Sequence, residues 1–196
     1  MLVSKTLLAS AYRIRRGGLV RLFWAARRNG VRMLAIESRV DVAGLTGRDV
    51  TDFMLACTDE QYQRWWPGTH LQLHVVGPAT GGVGDVVLMD EFIGRRRVRL
   101  HGVVEAVEPG RSLVWRFRKI VPLPARLSLE LSPVPGGVSV RHTITAGWPG
   151  FGRALDPLLR LYFTPRFTAD LDAHVHAEFP LLRDYLRPDS APGAQN

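Results

Sequence analysis

The chain has one cysteine, Cys57, so an internal disulfide is excluded and no thiolate cluster can hold a metal. Lysine is nearly absent, with only Lys5 and Lys119 among 26 basic residues. No apolar run approaches the roughly 20 residues that span a bilayer. Leu7-Leu8-Ala9-Ser10-Ala11 is too short for a signal-peptide core before arginines follow, so a cytoplasmic location is expected. Acidic residues are missing from the first 33 positions, which carry Lys5, Arg13, Arg15, Arg16, Arg21, Arg27, Arg28 and Arg32. These eight cations account for the excess of 26 basic over 18 acidic residues, so the net charge of +8 sits in the N-terminal segment. The neutral remainder lacks the cationic face that a phosphate backbone needs, which argues against a nucleic-acid partner. Gly81, Gly82 and Gly84 lack the strand-before, helix-after setting of a phosphate loop and read as a turn.

Residues 1–32 are expected to form a basic extension, flexible or folded as an amphipathic helix able to touch an anionic membrane. Residues 33–187 read as one α+β domain, and the Ser/Pro/Gly-rich residues 188–196 as a disordered tail. A strand is expected over 34–42. Thr46-Gly-Arg-Asp49 is a helix-start signature, and a second start follows at Thr58-Asp59-Glu60. Six more strands are expected at 70–76, 84–93, 96–107, 112–120, 125–132 and 138–147. Turn residues such as Gly77-Pro78, Pro109-Gly110 and Pro135-Gly136-Gly137 separate them. Connections this short favour antiparallel pairing. Alternation then places Leu100, Leu129 and Val140 on an apolar face, with Trp115 and Phe117, while arginines take the other. A long helix over 166–187, at about 1.5 Å per residue, spans roughly 30 Å and covers that face with Phe167, Leu171, Val175 and Leu182.

One strand, two short helices, six antiparallel strands and a long C-terminal helix is the order of the helix-grip fold. The chain resembles the START/Bet v1-like (SRPBCC) superfamily, in particular bacterial members described as polyketide cyclase/dehydrase-like or lipid-transport-like. The likeness is carried by Cys57-Thr-Asp-Glu-Gln-Tyr-Gln-Arg-Trp-Trp-Pro-Gly-Thr-His70, by Gly94-Arg-Arg-Arg with His101-Gly-Val-Val, and by Asp156-Pro-Leu-Leu-Arg-Leu-Tyr162. It implies a seven-stranded curved antiparallel sheet wrapped round the long helix, with a deep apolar cavity between them. It does not imply one activity, because cyclases, hydrolases, carriers and plain binding proteins share the fold.

Polar residues expected inside are the informative ones, since unpaired polar burial is costly. His142 interrupts an apolar strand face, and His174 and Glu178 lie one turn apart on the helical stripe. These three are the candidate catalytic residues, able to act as general base and acid on a carbonyl substrate. Asp90 is expected on the inner face with Val86, Leu88 and Phe92, and Tyr62, Trp65 and Trp66 as an aromatic rim. No metal-ligand spacing is seen, and neither metal nor organic cofactor is expected. Three readings stay open: a binder of a lipid-, polyketide- or isoprenoid-type molecule, a polyketide cyclase/dehydratase, and a membrane-docked carrier using residues 1–32. The oligomeric state is left open.

Overall fold

The computed structural model describes residues 21–188 except 29–30, 79, 120–121 and 149. Its elements, in chain order, are β1 (Arg21–Arg28), β2 (Val31–Ala43), α1 (Gly47–Ala56), α2 (Asp59–Trp65), β3 (His70–Gly77), β4 (Val86–Ile93), β5 (Arg96–Glu108), β6 (Ser112–Arg118), β7 (Pro122–Val134), β8 (Gly137–Ala146), α3 (Asp156–Tyr162) and α4 (Pro165–Leu186). All strand pairs are antiparallel, in the order β1-β2-β8-β7-β6-β5-β4-β3. The helices α1 and α2 link β2 to β3, and α4 lies against β2, β4 and α2. This is the α+β helix-grip arrangement, its expected seven strands being β2 to β8.

The eighth strand corrects the N-terminal expectation. Arg21–Arg28 is not a helix or loose extension but a strand paired along β2, with Arg28 opposite Val31. Edge pairing satisfies backbone groups that β2 would otherwise leave open, and this outweighs local helix preference. Asn29-Gly30 between the strands is a strong two-residue hairpin signal. Residues 1–20 and the tail residues 189–196 lie outside the described residues. Among the described residues no helix is long and apolar enough to cross a membrane.

Local chemistry explains the helix starts. Thr46 and Asp49 form a reciprocal capping box on α1, and Thr58 and Gln61 form one on α2. Thr164 accepts from the Phe167 backbone N–H at 3.2 Å, so Pro165 opens α4 at its first turn rather than kinking it. The helix runs on through Pro180 without a break. A register shift between Val104 and Ala106 turns Ala106 outward and brings Val107 to the core, against strict alternation.

The N-terminus of α1 docks on the β5–β6 turn so closely that only glycine fits. A Cβ on Gly47 would lie 2.1 Å from the Gly110 carbonyl oxygen and 3.2 Å from the Leu131 Cβ. Gly47→Ala is therefore expected to destabilise the fold by about 1–3 kcal/mol, the usual cost of overpacking. The urea midpoint of the variant checks this, and an unchanged midpoint contradicts the tight approach.

Candidate functional site

Between the concave sheet and α4 the chain encloses a cavity of about 580 Å³. Leu100, Phe117, Leu129 and Ile144 from the sheet, with Phe167 and Leu171 from α4, form its apolar walls. Leu158, Leu159 and Tyr162 of α3 reach one side of it. Tyr62, Glu91, His142, His174 and Glu178 are polar residues of the lining, and Arg96, Arg97, Arg99 and Lys119 also border it.

Glu91, His174 and Glu178 belong, with His70, to a buried cluster drawn from two pairs. His70 and Glu91 are cross-strand partners on β3 and β4, and His174 and Glu178 stand one turn apart on α4. His174 Nε2 lies 3.4 Å from Glu91 Oε2 and 3.8 Å from Glu178 Oε2. His70 Nε2 lies 3.6 Å from Glu178 Oε1 and 3.8 Å from Glu91 Oε2. Around the four, aromatic groups hold the geometry. The Tyr62 ring stacks on His70 with centroids 3.8 Å apart, and its hydroxyl donates to Glu91 Oε2 at 2.6 Å. Trp66 leans over His174 at 4.7 Å. Trp65 Nε1 donates to the Glu178 carbonyl oxygen at 2.9 Å, tying α2 to α4.

Burial and mutual charge pull these groups apart electrostatically. Burial pushes Glu178 well up, with Glu91 adding to the rise against the opposing pull of His174. Burial would also raise Glu91, but His174, His70 and the Tyr62 hydroxyl outweigh it and hold its carboxyl low. Burial disfavours the His174 cation, yet Glu91 and Glu178 raise it to about 9. The 3.4 Å separation from Glu91 is long for a hydrogen bond, so charge is the better description of that contact. Burial lowers both His70 and His142 to about 4. As a set, the site holds neutral and charged forms of like groups side by side.

A family model for polyketide cyclase/dehydrase and lipid transport proteins matches residues 33–175. The chain belongs to this family. The match takes in His70, Glu91, His142 and His174 and ends just before Glu178. No protein of curated function matches the sequence. Solved structures share the fold at low identity. KanY is 12% identical with a TM-score of 0.55, over 80% of this chain and 99% of that one. CalU16 from Micromonospora echinospora is 12% identical with a TM-score of 0.52, over 90% and 86%. A norcoclaurine synthase point mutant from Thalictrum flavum, in complex with a transition-state analogue, is 14% identical with a TM-score of 0.50, over 81% and 97%.

In this family member the expected site residues divide. Tyr62, Leu100, Phe117, Leu129, His142, Phe167, Leu171, His174 and Glu178 all reach the cavity. Trp115 and Val140 do not line it. They are almost fully buried in the core, where the sheet packs on itself and α4. Trp65 is not a rim residue either, being only 2% exposed between α2 and α4. Trp66 is half-buried against the rings of His70 and His174 rather than on the cavity wall.

Asp90 is the clearest correction. It is buried, but on the outer face, where Arg97 binds it through two contacts of 2.8 Å and Arg99 adds a third at 3.5 Å. Glu91 takes the inward place. The β4 run Val-Val-Leu-Met-Asp-Glu-Phe-Ile is apolar on both faces, so alternation alone does not set its register. The turn between β4 and β5 does set it. Ile93 pairs with Arg96, so Asp90 meets the outward Arg99 and Glu91 meets the inward Val98. His70 and Glu91 were both missed in the sequence. That pairing rule would have found Glu91, and its strand partner on β3 would then have pointed to His70.

Proposed function

We propose that the chain binds an apolar small molecule with one oxygen-bearing end, of lipid, polyketide or isoprenoid type. The observation that carries this reading is the form of the cavity: apolar walls over most of about 580 Å³, with the buried His/Glu cluster at one part of the lining. An apolar body gains by leaving water for such walls, and a carbonyl or hydroxyl end finds donors and acceptors at the polar part. The family description, which joins cyclases and dehydrases with lipid transport, supports a ligand of that kind.

Native followed by denaturing mass spectrometry of the purified chain tests the reading. One co-purified apolar molecule per chain is expected, and 8-anilino-1-naphthalenesulfonate is expected to bind an emptied cavity. Filling the cavity by Leu100→Trp should weaken dye binding at least tenfold while circular dichroism stays native. Absence of both a co-purified molecule and dye binding rejects the proposal.

A second reading, turnover of a carbonyl-bearing chain, is favoured by the position of His142. It lines the same cavity close enough to feel the charges of His174 and Glu91. Under this reading His142 or Glu178 moves a proton beside a substrate carbonyl, a role worth about 10²–10⁴ in rate. Equal turnover of a poly-β-ketone thioester by wild type and by His142→Ala and Glu178→Gln variants removes it.

A further inference from the structure

The His/Glu cluster has an arrangement that a purely hydrogen-bonded network does not explain. The Nε2 atoms of His70 and His174 are buried, yet neither has a hydrogen-bond partner. His70 is 1% exposed and His174 6%. Both nitrogens point at the two carboxylates, and one donor atom from each of the four residues lies within 4.8 Å of the others. None of the four imidazole–carboxylate separations is shorter than 3.4 Å or longer than 3.8 Å. A charge-assisted N–H to carboxylate bond closes to about 2.7–2.9 Å. Four donors round a tetrahedral ion with bonds of about 2.1 Å stand about 3.4 Å from one another. The imidazole–carboxylate spacing is nearer the second pattern than the first, with Glu178 turning Oε1 to His70 and Oε2 to His174.

We propose that His70, Glu91, His174 and Glu178 bind one divalent transition-metal ion. Two imidazoles and two carboxylates without a thiolate suit zinc and iron(II). Two carboxylates and two neutral imidazoles carry two negative charges, which one divalent ion balances. Among the described residues neither Glu91 nor Glu178 forms an ion pair with arginine or lysine, so the His174 proton is the charge that a bound metal ion displaces.

The supporting contacts are those of a held ligand set. His70 Nδ1 faces the Tyr62 carbonyl oxygen at 3.3 Å, which fixes the tautomer with its Nε2 lone pair turned inward. The Tyr62 hydroxyl orients Glu91. Glu91, His174 and Glu178 border the cavity, whereas His70 sits behind them. An ion held by these four would lie against the cavity wall. The site goes beyond the ligand-binding reading and does not depend on it, because metal binding and cavity occupancy are measured separately.

The test uses the full chain, stripped with a chelator and dialysed. Cobalt(II) is titrated as the spectroscopic stand-in for zinc, and zinc content is measured by elemental mass spectrometry. One ion per chain is expected, with visible cobalt bands saturating at one equivalent. Glu178→Gln and His70→Gln should weaken binding by at least 100-fold. Tyr62→Phe, which keeps the stacked ring and removes only the support to Glu91, should weaken it about 10–100-fold. His74→Gln removes the part-exposed His74–Asp59 pair instead and should change nothing. Folded wild type that shows no cobalt bands at tenfold excess overturns the proposal. So does equal binding by a folded His70→Gln/Glu178→Gln chain.

Discussion

Trp65→Ala is expected to lower the unfolding free energy by about 3–5 kcal/mol, the range for truncating a buried large aromatic. Trp65 is 2% exposed, and its ring meets Phe53, Tyr62 and His70 edge-on at 5.4, 5.7 and 4.5 Å. Alanine removes one partner from each of those three rings and opens a void that α1, α2 and α4 cannot close together. The indole N–H adds the link to the Glu178 carbonyl, and Trp65→Phe isolates that part at about 1 kcal/mol. Because domains of this size are stable by only about 5–15 kcal/mol, the alanine variant should shift the urea midpoint strongly. Since the lost link lies at Glu178 itself, the variant should also disturb the His/Glu cluster. A loss below about 1 kcal/mol for Trp65→Ala contradicts the packing described.

Acidification should cost the chain about 3 kcal/mol through His142 alone. Its Nδ1 is buried without a hydrogen-bond partner, and its β-sheet neighbours are Ser38 on β2 and Leu129 on β7. From α4 it faces the charge of His174 and from β4 that of Glu91. Burial foremost, then His174, lowers it from 6.5 to about 4. The folded chain therefore holds His142 neutral while the unfolded chain takes up a proton below about 6.5. Its contribution is fully present above that pH and is lost as pH falls toward 4, with the size following from the shift. Urea midpoints of the chelator-treated protein at pH 7.5 and 4.5 measure it. In His142→Leu the acid loss should shrink by most of that amount. An equal loss in variant and wild type sinks the assignment.

Much of the fold was legible because local chemistry and tertiary need agree. The Thr46 and Thr58 caps start the helices the sequence announces. The turns at Pro109-Gly110 and Gly136 fall where a positive φ is required. The alternation of Leu127, Leu129 and Leu131 against arginine and glutamate holds in the structure, where these leucines face the core. His142, His174 and Glu178 were visible as polar residues in apolar surroundings, and all three reach the cavity.

What the sequence determined by itself was the order of elements, their ends and the inward face of most strands, because those follow from spacings of two to four residues. The tertiary structure alone decided that Glu91 rather than Asp90 turns inward, and that His70 meets Glu178. The physical reason is range. A strand apolar on both faces can slip by one residue without any local penalty, and only pairing with β5 chooses between its two faces. Positions 174 and 178 share a helical turn, but 70, 91 and that pair have no local spacing in common. They become one site only when the sheet curves round α4.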